Sequence, residues 1–480
     1  MTWQTASEQL AALRRREVSA IELTDQAIAR IEAEDGALNA VVVRDFERAR
    51  TAARAADDRR ARGQDAALLG LPMTVKECFD VAGLPTTWGL AGTENGRAAE
   101  DAVAVARLKA AGAVVLGKTN VPVMLADWQS VNPIHGFTRN PWNLDRTPGG
   151  SSGGSAAALA AGFVALEAGT DLAGSIRVPA AFCGVYGHKP SHGLVPLRGS
   201  APPGVPRLSV GPVVDMAVAG PMARSPADLA LALDVMAGPD SDLAGAWRLA
   251  LPPARHATLG DYRVLVLDQH PLMPTAAAIR SRLNAVADDL ARAGCTVGRA
   301  APGLPDLAMV GRVFGRLLLS FFGAGMPRQA YDAMRARATG ADDDPQTALT
   351  LSHRGWLEAD YQRVYIRHLW RQVFAAWDVV LCPVMPTTAF AHDHGDENTR
   401  VLAVDGQPIP YNDQSAWCGI ANMAGLPATA VPAGLDADGL PIGLQAIGPF
   451  MEDRTPIAFA GMLAQAIGGF VPPQAGTARG

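Results

Sequence analysis

The sequence predicts an α/β fold: a single large domain on a central mixed, twisted β-sheet with helices on both faces. Three observations predict it. Amphipathic helical segments alternate with short β-branched runs, the pattern of a layered sheet. Hydrophobic residues make up 49% of the 480 and charged residues 19%, enough to fill a large core and too apolar for a disordered chain. No repeat, low-complexity tract or linker divides the chain, so one domain with inserted subregions fits better than a string of modules.

The elements follow in order. Thr5-Ala6-Ser7-Glu8 and Ser19-Ala20-Ile21-Glu22 are capping boxes, each opening a helix with a hydroxyl and a glutamate that satisfy each other's backbone amides. The second helix carries Ile21, Ala27, Ile28 and Ile31 on one face and should stop near Asp35-Gly36. A third covers 45–62. The apolar run 71–75 after Gly70 is a buried strand that delivers Lys76 at its end. A helix over 102–111 precedes a buried strand over 113–116. Residues 147–190 are the densest in glycine and small side chains, and 202–214 read as a Pro/Gly-rich surface loop. A strand over 263–267 leads into a helix over 276–293 that ends at Gly294. Helical stretches near 310–322 and 356–377 flank a polar, acidic segment at 340–344. Strands at 428–432 and 443–447 and a helix over 457–467 close the order.

Composition excludes several function classes. Asp and Glu outnumber Lys and Arg by 47 to 42, for a net charge of −5, so the chain lacks the basic excess of a nucleic-acid binder. The polar, helical start is unlike a signal peptide, and no run of about 18 apolar residues suggests a membrane span. Cys78, Cys183, Cys295, Cys382 and Cys418 are odd in number and far apart, which fits reduced thiols in a cytoplasmic protein and offers no zinc or redox spacing. No metal constellation or cofactor motif is present, and none is expected. The lysines number four (Lys76, Lys109, Lys118, Lys189) while arginine carries the remaining positive charge. Lysine, unlike arginine, can give up its proton in a protein, so each of the four is a candidate for chemistry.

Two short motifs fail on context. Gly112-Ala113-Val114-Val115-Leu116-Gly117-Lys118-Thr119 satisfies the P-loop pattern, but its middle is a strand whose amides belong to a sheet, not a turn facing phosphate. Gly149-Gly150-Ser151-Ser152-Gly153-Gly154 contains GxSxG twice, yet turn formers over 141–148 precede it where a nucleophile elbow needs a strand. The wider segment makes better sense. Ser151 and Ser175 each sit in a glycine-rich turn, where the backbone can approach a substrate closely. Amides of Leu172, Ala173, Gly174 and Ser175 are placed to converge on one oxygen, as an oxyanion hole does.

From Ser151-Ser152, 24 residues before Ser175, through GTDLAGSIRVPAAFCGVYGHKP, the chain resembles the amidase signature family. Pro72-Met73-Thr74-Val75-Lys76, Gly117-Lys118-Thr119-Asn120, Asn140-Pro141-Trp142-Asn143, Gly425-Leu426-Pro427-Ala428 and Gly443-Leu444-Gln445 extend the resemblance over most of the chain. The resemblance implies amide hydrolysis by a Ser-cisSer-Lys triad, with Ser175 the nucleophile, Ser151 the bridging serine in a cis peptide, and Lys76 the base. It implies supporting roles for Ser152, Thr170, Asp171 and Arg177, the last two holding the nucleophile loop. It also implies a catalytic core over 65–220, a variable specificity region over 303–400 and a return to the core over 401–470. Two departures stand out: Ala173 replaces a usual glycine, and His188 replaces a usual apolar residue before Lys-Pro.

The chemistry explains the residue types. Amide attack needs an activated hydroxyl, an oxyanion stabiliser and a proton for the leaving nitrogen. Lysine serves only when neutral, and at an ordinary pKa of about 10.4 only about one in 10³ is neutral at pH 7. Burial beside Met73 and Val75 without a carboxylate would lower it. Glu77, next along a strand, points to the opposite face. Leu125 and Trp128, with Phe314, Phe321, Phe322 and Trp417, suggest an apolar pocket. The expectation is therefore a stand-alone amidase for a small, largely apolar carboxamide, anilide, carbamate or ester, working as a monomer or homodimer without nucleic acid or membrane. The alternative is the glutamine-hydrolysing subunit of a tRNA-dependent amidotransferase complex. Residues 303–400, unlike the corresponding region of that subunit, favour the first. A non-catalytic relative is a third reading, opposed by the presence of all three triad residues.

Overall fold

The computed structural model describes residues 2–205, 214–396 and 399–474. Among them, eleven strands form one mixed sheet. In chain order these are β1 (Val41–Arg44), β2 (Pro72–Lys76), β3 (Val114–Thr119), β4 (Leu166–Asp171), β5 (Tyr186–Lys189), β6 (Val218–Ala223), β7 (Arg263–Val266), β8 (Thr296–Gly298), β9 (Val379–Pro383), β10 (Ala428–Leu435) and β11 (Pro441–Ile447). Across the sheet the order is β1-β3-β2-β4-β6-β5-β10-β11-β9-β7-β8. β3, β2 and β4 are parallel, as are β9, β7 and β8, and the intervening pairs are antiparallel.

The sheet is covered on both faces. β2, β3, β4, β5, β6, β9 and β11 are buried at every residue, and successive strand side chains point to opposite sides. A strand buried on both faces has no reason to alternate apolar with polar, which is why these segments read as continuous runs. The predicted α/β domain is the one the chain forms.

Local signals explain much of the agreement. Both capping boxes close, with Thr5 and Ser19 accepting from the amides of Glu8 and Glu22. The second helix, Ala20–Leu38, runs past its predicted stop; it carries Gly36 within it and ends at Asn39, whose left-handed φ of 58° does what a terminal glycine would. β4, β5 and β6, with sequences LEAGTD, YGHK and VAGPMA, escape the sequence pattern because pairing with neighbours, not propensity, makes them strands.

One expectation needs correcting. The helix Leu307–Ala324 has 18 residues at a mean hydropathy of 1.5 and is long and apolar enough to cross a membrane. It carries Arg312 and Arg316, and one face (Leu307, Val310, Val313, Phe314, Leu317, Leu318) is buried in a core shared with the helices His353–Ala376 and Ala416–Ala424. A composition scan broken by its two arginines missed it. Residues 206–213 of the predicted surface loop lie outside the described residues.

Candidate active site

Three turns of chain meet above the centre of the sheet. Lys76 ends β2, Ser151 lies just before the helix Gly153–Ala160, and Ser175 lies between β4 and the helix Arg177–Cys183. Lys76 is wholly buried, Ser151 is 1% exposed and Ser175 is 9% exposed, so the last is the most open of the three. The Lys76 Nζ stands 2.7 Å from Ser151 Oγ and 2.8 Å from Thr170 Oγ1, with Thr170 O at 3.4 Å. The Ser152 amide donates to Ser175 O at 3.1 Å, fastening the two serine turns together. Ser152 Oγ donates to Thr170 O at 3.4 Å. The Gly150–Ser151 peptide is cis.

Burial pushes the Lys76 ammonium down to about 8, against smaller opposing pulls from Cys78, Asp171 and Glu167. Glu77 faces away, its carboxylate taken by Thr87 and Trp88, with Lys118 at 3.8 Å. Lys118, the lysine of the P-loop pattern, is thus a buried structural cation on a strand, and it also donates to Pro85 O and Thr86 Oγ1.

The Ser175 turn is held from below. Asp171 Oδ2 pairs with Arg177 Nε at 3.0 Å, both side chains fully buried. Burial alone would raise the Asp171 carboxyl, but the Arg177 charge and its hydrogen bonds outweigh that and hold it far below the usual carboxylate range. Asp171 also accepts from the amides of Gly174 at 2.9 Å and Ile176 at 3.2 Å. The Gly174 amide is therefore already committed, and Leu172, Ala173 and Ser175 are the remaining candidates of the predicted oxyanion set. Arg177 reaches on to Gln445 Oε1 at 2.7 Å, Cys418 O at 3.2 Å and Asn422, tying the turn to the last strands. A Cβ on Gly174, whose φ is +102°, would lie 2.7 Å from Cys418 Sγ, which leaves glycine as the fitting residue. His188 is a buried bridge from β5, between Thr429 Oγ1 at 2.9 Å and Asp453 Oδ1 at 3.2 Å.

The outer wall differs from expectation. Leu125 ends a short 3₁₀ turn, while Trp128 donates its indole N–H to Ala173 O at 3.1 Å and packs edge-on against Tyr411. Beside Trp128, Asp127 accepts from Arg400 at 2.6 Å and from the Tyr411 hydroxyl at 2.6 Å, with both charged side chains 8% exposed. Phe314 and Trp417 are core residues, 2% and 0% exposed, and Phe321 points to solvent at 41%. Sequence reasoning missed the ionic wall because Asp127 and Arg400 are 273 positions apart and neither sits in a motif.

A family model described as Amidase matches residues 22–456. A subunit of the glutamyl-tRNA(Gln) amidotransferase of Roseiflexus castenholzii is 36% identical over 89% of both chains, and several further relatives carry the same name. An indoleacetamide hydrolase of Bradyrhizobium diazoefficiens is 33% identical over 94% of this chain and 84% of its own. Among solved structures, a chain described as part of an unexpected vestigial protein complex, bearing on the origins of an s-triazine catabolic enzyme, is 32% identical. It superimposes with a TM-score of 0.82 over 98% of this chain and 100% of that one.

These matches correct two expectations. The stand-alone amidase for a small, largely apolar amide gives way, because the relatives named as amidotransferase subunits are matched nearly end to end and the family match runs straight through residues 303–400. Of the aromatic residues that favoured an apolar substrate, Phe314 and Trp417 are core. The partner expectation, a small molecule alone with no nucleic acid and a monomer or homodimer, falls with it, since those relatives are named as subunits of an enzyme that acts on a tRNA.

Proposed function

The chain belongs to the amidase signature family, and on that premise we propose that it is the glutamine-hydrolysing subunit of a tRNA-dependent amidotransferase complex. The carrying observation is the repeated match, at 33–36% identity and along most of both chains, to relatives named as this subunit of glutamyl-tRNA(Gln) amidotransferase.

In this reading Lys76 is the base, its ammonium made easier to deprotonate by burial. It draws the proton of Ser151, which in turn takes that of Ser175 as its Oγ attacks the side-chain carboxamide. The developing oxyanion lies on backbone amides from Leu172, Ala173 and Ser175. The relay returns the proton to the departing nitrogen, ammonia leaves, and water, deprotonated by the same chain of groups, releases glutamate from the acyl-enzyme. Ser152, Thr170, Asp171 and Arg177 hold the turns in place. Residues 65–220 form the catalytic core, 303–400 and the 125–128 segment shape specificity and partner contacts, and 401–470 complete the core. A cytoplasmic location fits five free, buried cysteines.

The test is a screen of the purified chain, alone and with its co-expressed partner subunits, against glutamine, benzamide, an anilide and a carbamate. Glutamine should have the highest kcat/KM, and ammonia release should increase with the partners present. Faster turnover of any of the other three amides overturns the proposal.

A further inference from the structure

Glu167 is a fully buried carboxyl that the mechanism above does not use. It lies on β4 opposite Thr74 of β2, so it projects onto the same side of the sheet as Lys76, two residues further along β2 and about 7 Å away by strand geometry. Its close hydrogen bond is from the Ala168 amide at 2.9 Å, and the hydroxyls of Thr74, Thr119 and Ser155 surround it. Among the described residues it belongs to no ion pair. A carboxylate without a cation is costly to bury, so the group either stays protonated or finds its countercharge in the nearest lysine.

We propose that Glu167 is a positioning residue for this site: Glu167 and Lys76 titrate as a coupled pair, and Glu167 thereby sets the pH at which Lys76 becomes a neutral base. The inference rests on the proposed role of Lys76 as base. While Glu167 holds its proton, Lys76 has no countercharge and loses its own proton readily. Once Glu167 is ionised, its charge holds the ammonium and the base is available only at higher pH. Burial raises the Glu167 carboxyl to about 7 and lowers Lys76 to about 8, close enough for each to govern the other. The remaining groups facing the pair are accounted for. Asp171 is pinned by Arg177, and burial raises the Cys78 thiol and keeps it neutral. From β3 and the helix Gly153–Ala160 come the hydroxyls of Thr119 and Ser155, and from β6 comes Met222, opposite Glu167.

The experiment is the pH dependence of covalent labelling of Ser175 by a fluorophosphonate, which reports activation of the serine with neither substrate nor partner present. The pH profile of kcat/KM for glutamine is measured alongside it. Glu167→Gln should move the rising limb of both to lower pH by about 1.7 units, as expected for a unit charge about 7 Å away at an effective dielectric of about 20. The plateau should be unchanged, and Glu167→Asp should restore the wild-type limb. If the Gln variant does not fold, Glu167→Met carries the same expectation. Superimposable profiles, or a loss uniform across pH, would overturn the coupling. Failure of the underlying reading looks different: Lys76→Ala would then label as fast as wild type, or the wild-type profile would show no ionisation near Lys76.

Discussion

Lys76 illustrates how burial moves a lysine away from its ordinary chemistry. A lysine in water is almost wholly charged at neutral pH, whereas this one, sealed in β2 and contacting two hydroxyls, sits at about 8. Activity should therefore rise with pH through about 8 as the ammonium is lost, which a pH–rate profile checks. The same shift makes stability rise between about 8 and 10.5, where the unfolded chain still holds a proton that the folded chain has released. Lys76→Ala should leave less than a few per cent of turnover with an unchanged circular dichroism spectrum. Lys76→Arg should be equally silent, because a guanidinium keeps its charge and cannot act as a base. Substantial turnover in either variant would remove Lys76 from the mechanism. At this scale the resemblance to the amidase signature family, together with glycine-rich turns and lysine scarcity, singled out Lys76 and Ser151, which the structure places in contact. Glu167 and the Asp127–Arg400 pair were not legible, since a lone acidic residue in a strand and two charges 273 positions apart leave no local pattern.

The two serine turns depend on very close backbone packing. A Cβ on Gly150 would come 2.4 Å from Asp127 O and 2.9 Å from Gln129 N, both main-chain atoms that cannot swing aside. Gly150→Ala should cost about 1–3 kcal/mol and pull Ser151 off Lys76, giving a lower urea midpoint together with reduced turnover. An unaltered midpoint would mean that the 125–129 segment yields freely. Asp171→Asn strands the Arg177 guanidinium without its buried counterion, and the expected loss is about 3–5 kcal/mol, read from the same denaturation curves. Segments of this scale were legible where chemistry is local: the capping boxes and the strand leading to Lys76. They were illegible where strand character is imposed from the side, as in β4, β5 and β6, or where a helix carries glycine inside it, as Ala20–Leu38 does before ending on a left-handed asparagine.

For the molecule as a whole, alternation and composition were sufficient for the α/β domain, because a sheet covered on both faces requires long apolar runs wherever it appears. Substrate and partners were not legible from the same information. Aromatic content suggested an apolar substrate, yet Phe314 and Trp417 fill the interior, and net charge gave no sign that relatives matched along most of the chain are named as subunits of a glutamyl-tRNA(Gln) amidotransferase. Co-expression with candidate partner subunits should yield a complex on size exclusion that hydrolyses glutamine faster than the lone chain, and identical rates would count against membership of such a complex. The strand order has a consequence for synthesis. β5 is paired with β10, so residue 189 waits for residue 428, and the guanidinium under the nucleophile turn waits for Gln445. A nascent chain on the ribosome thus carries Lys76, Ser151 and Ser175 long before residues 428 and 445 arrive to complete the sheet and the hydrogen bonds beneath them.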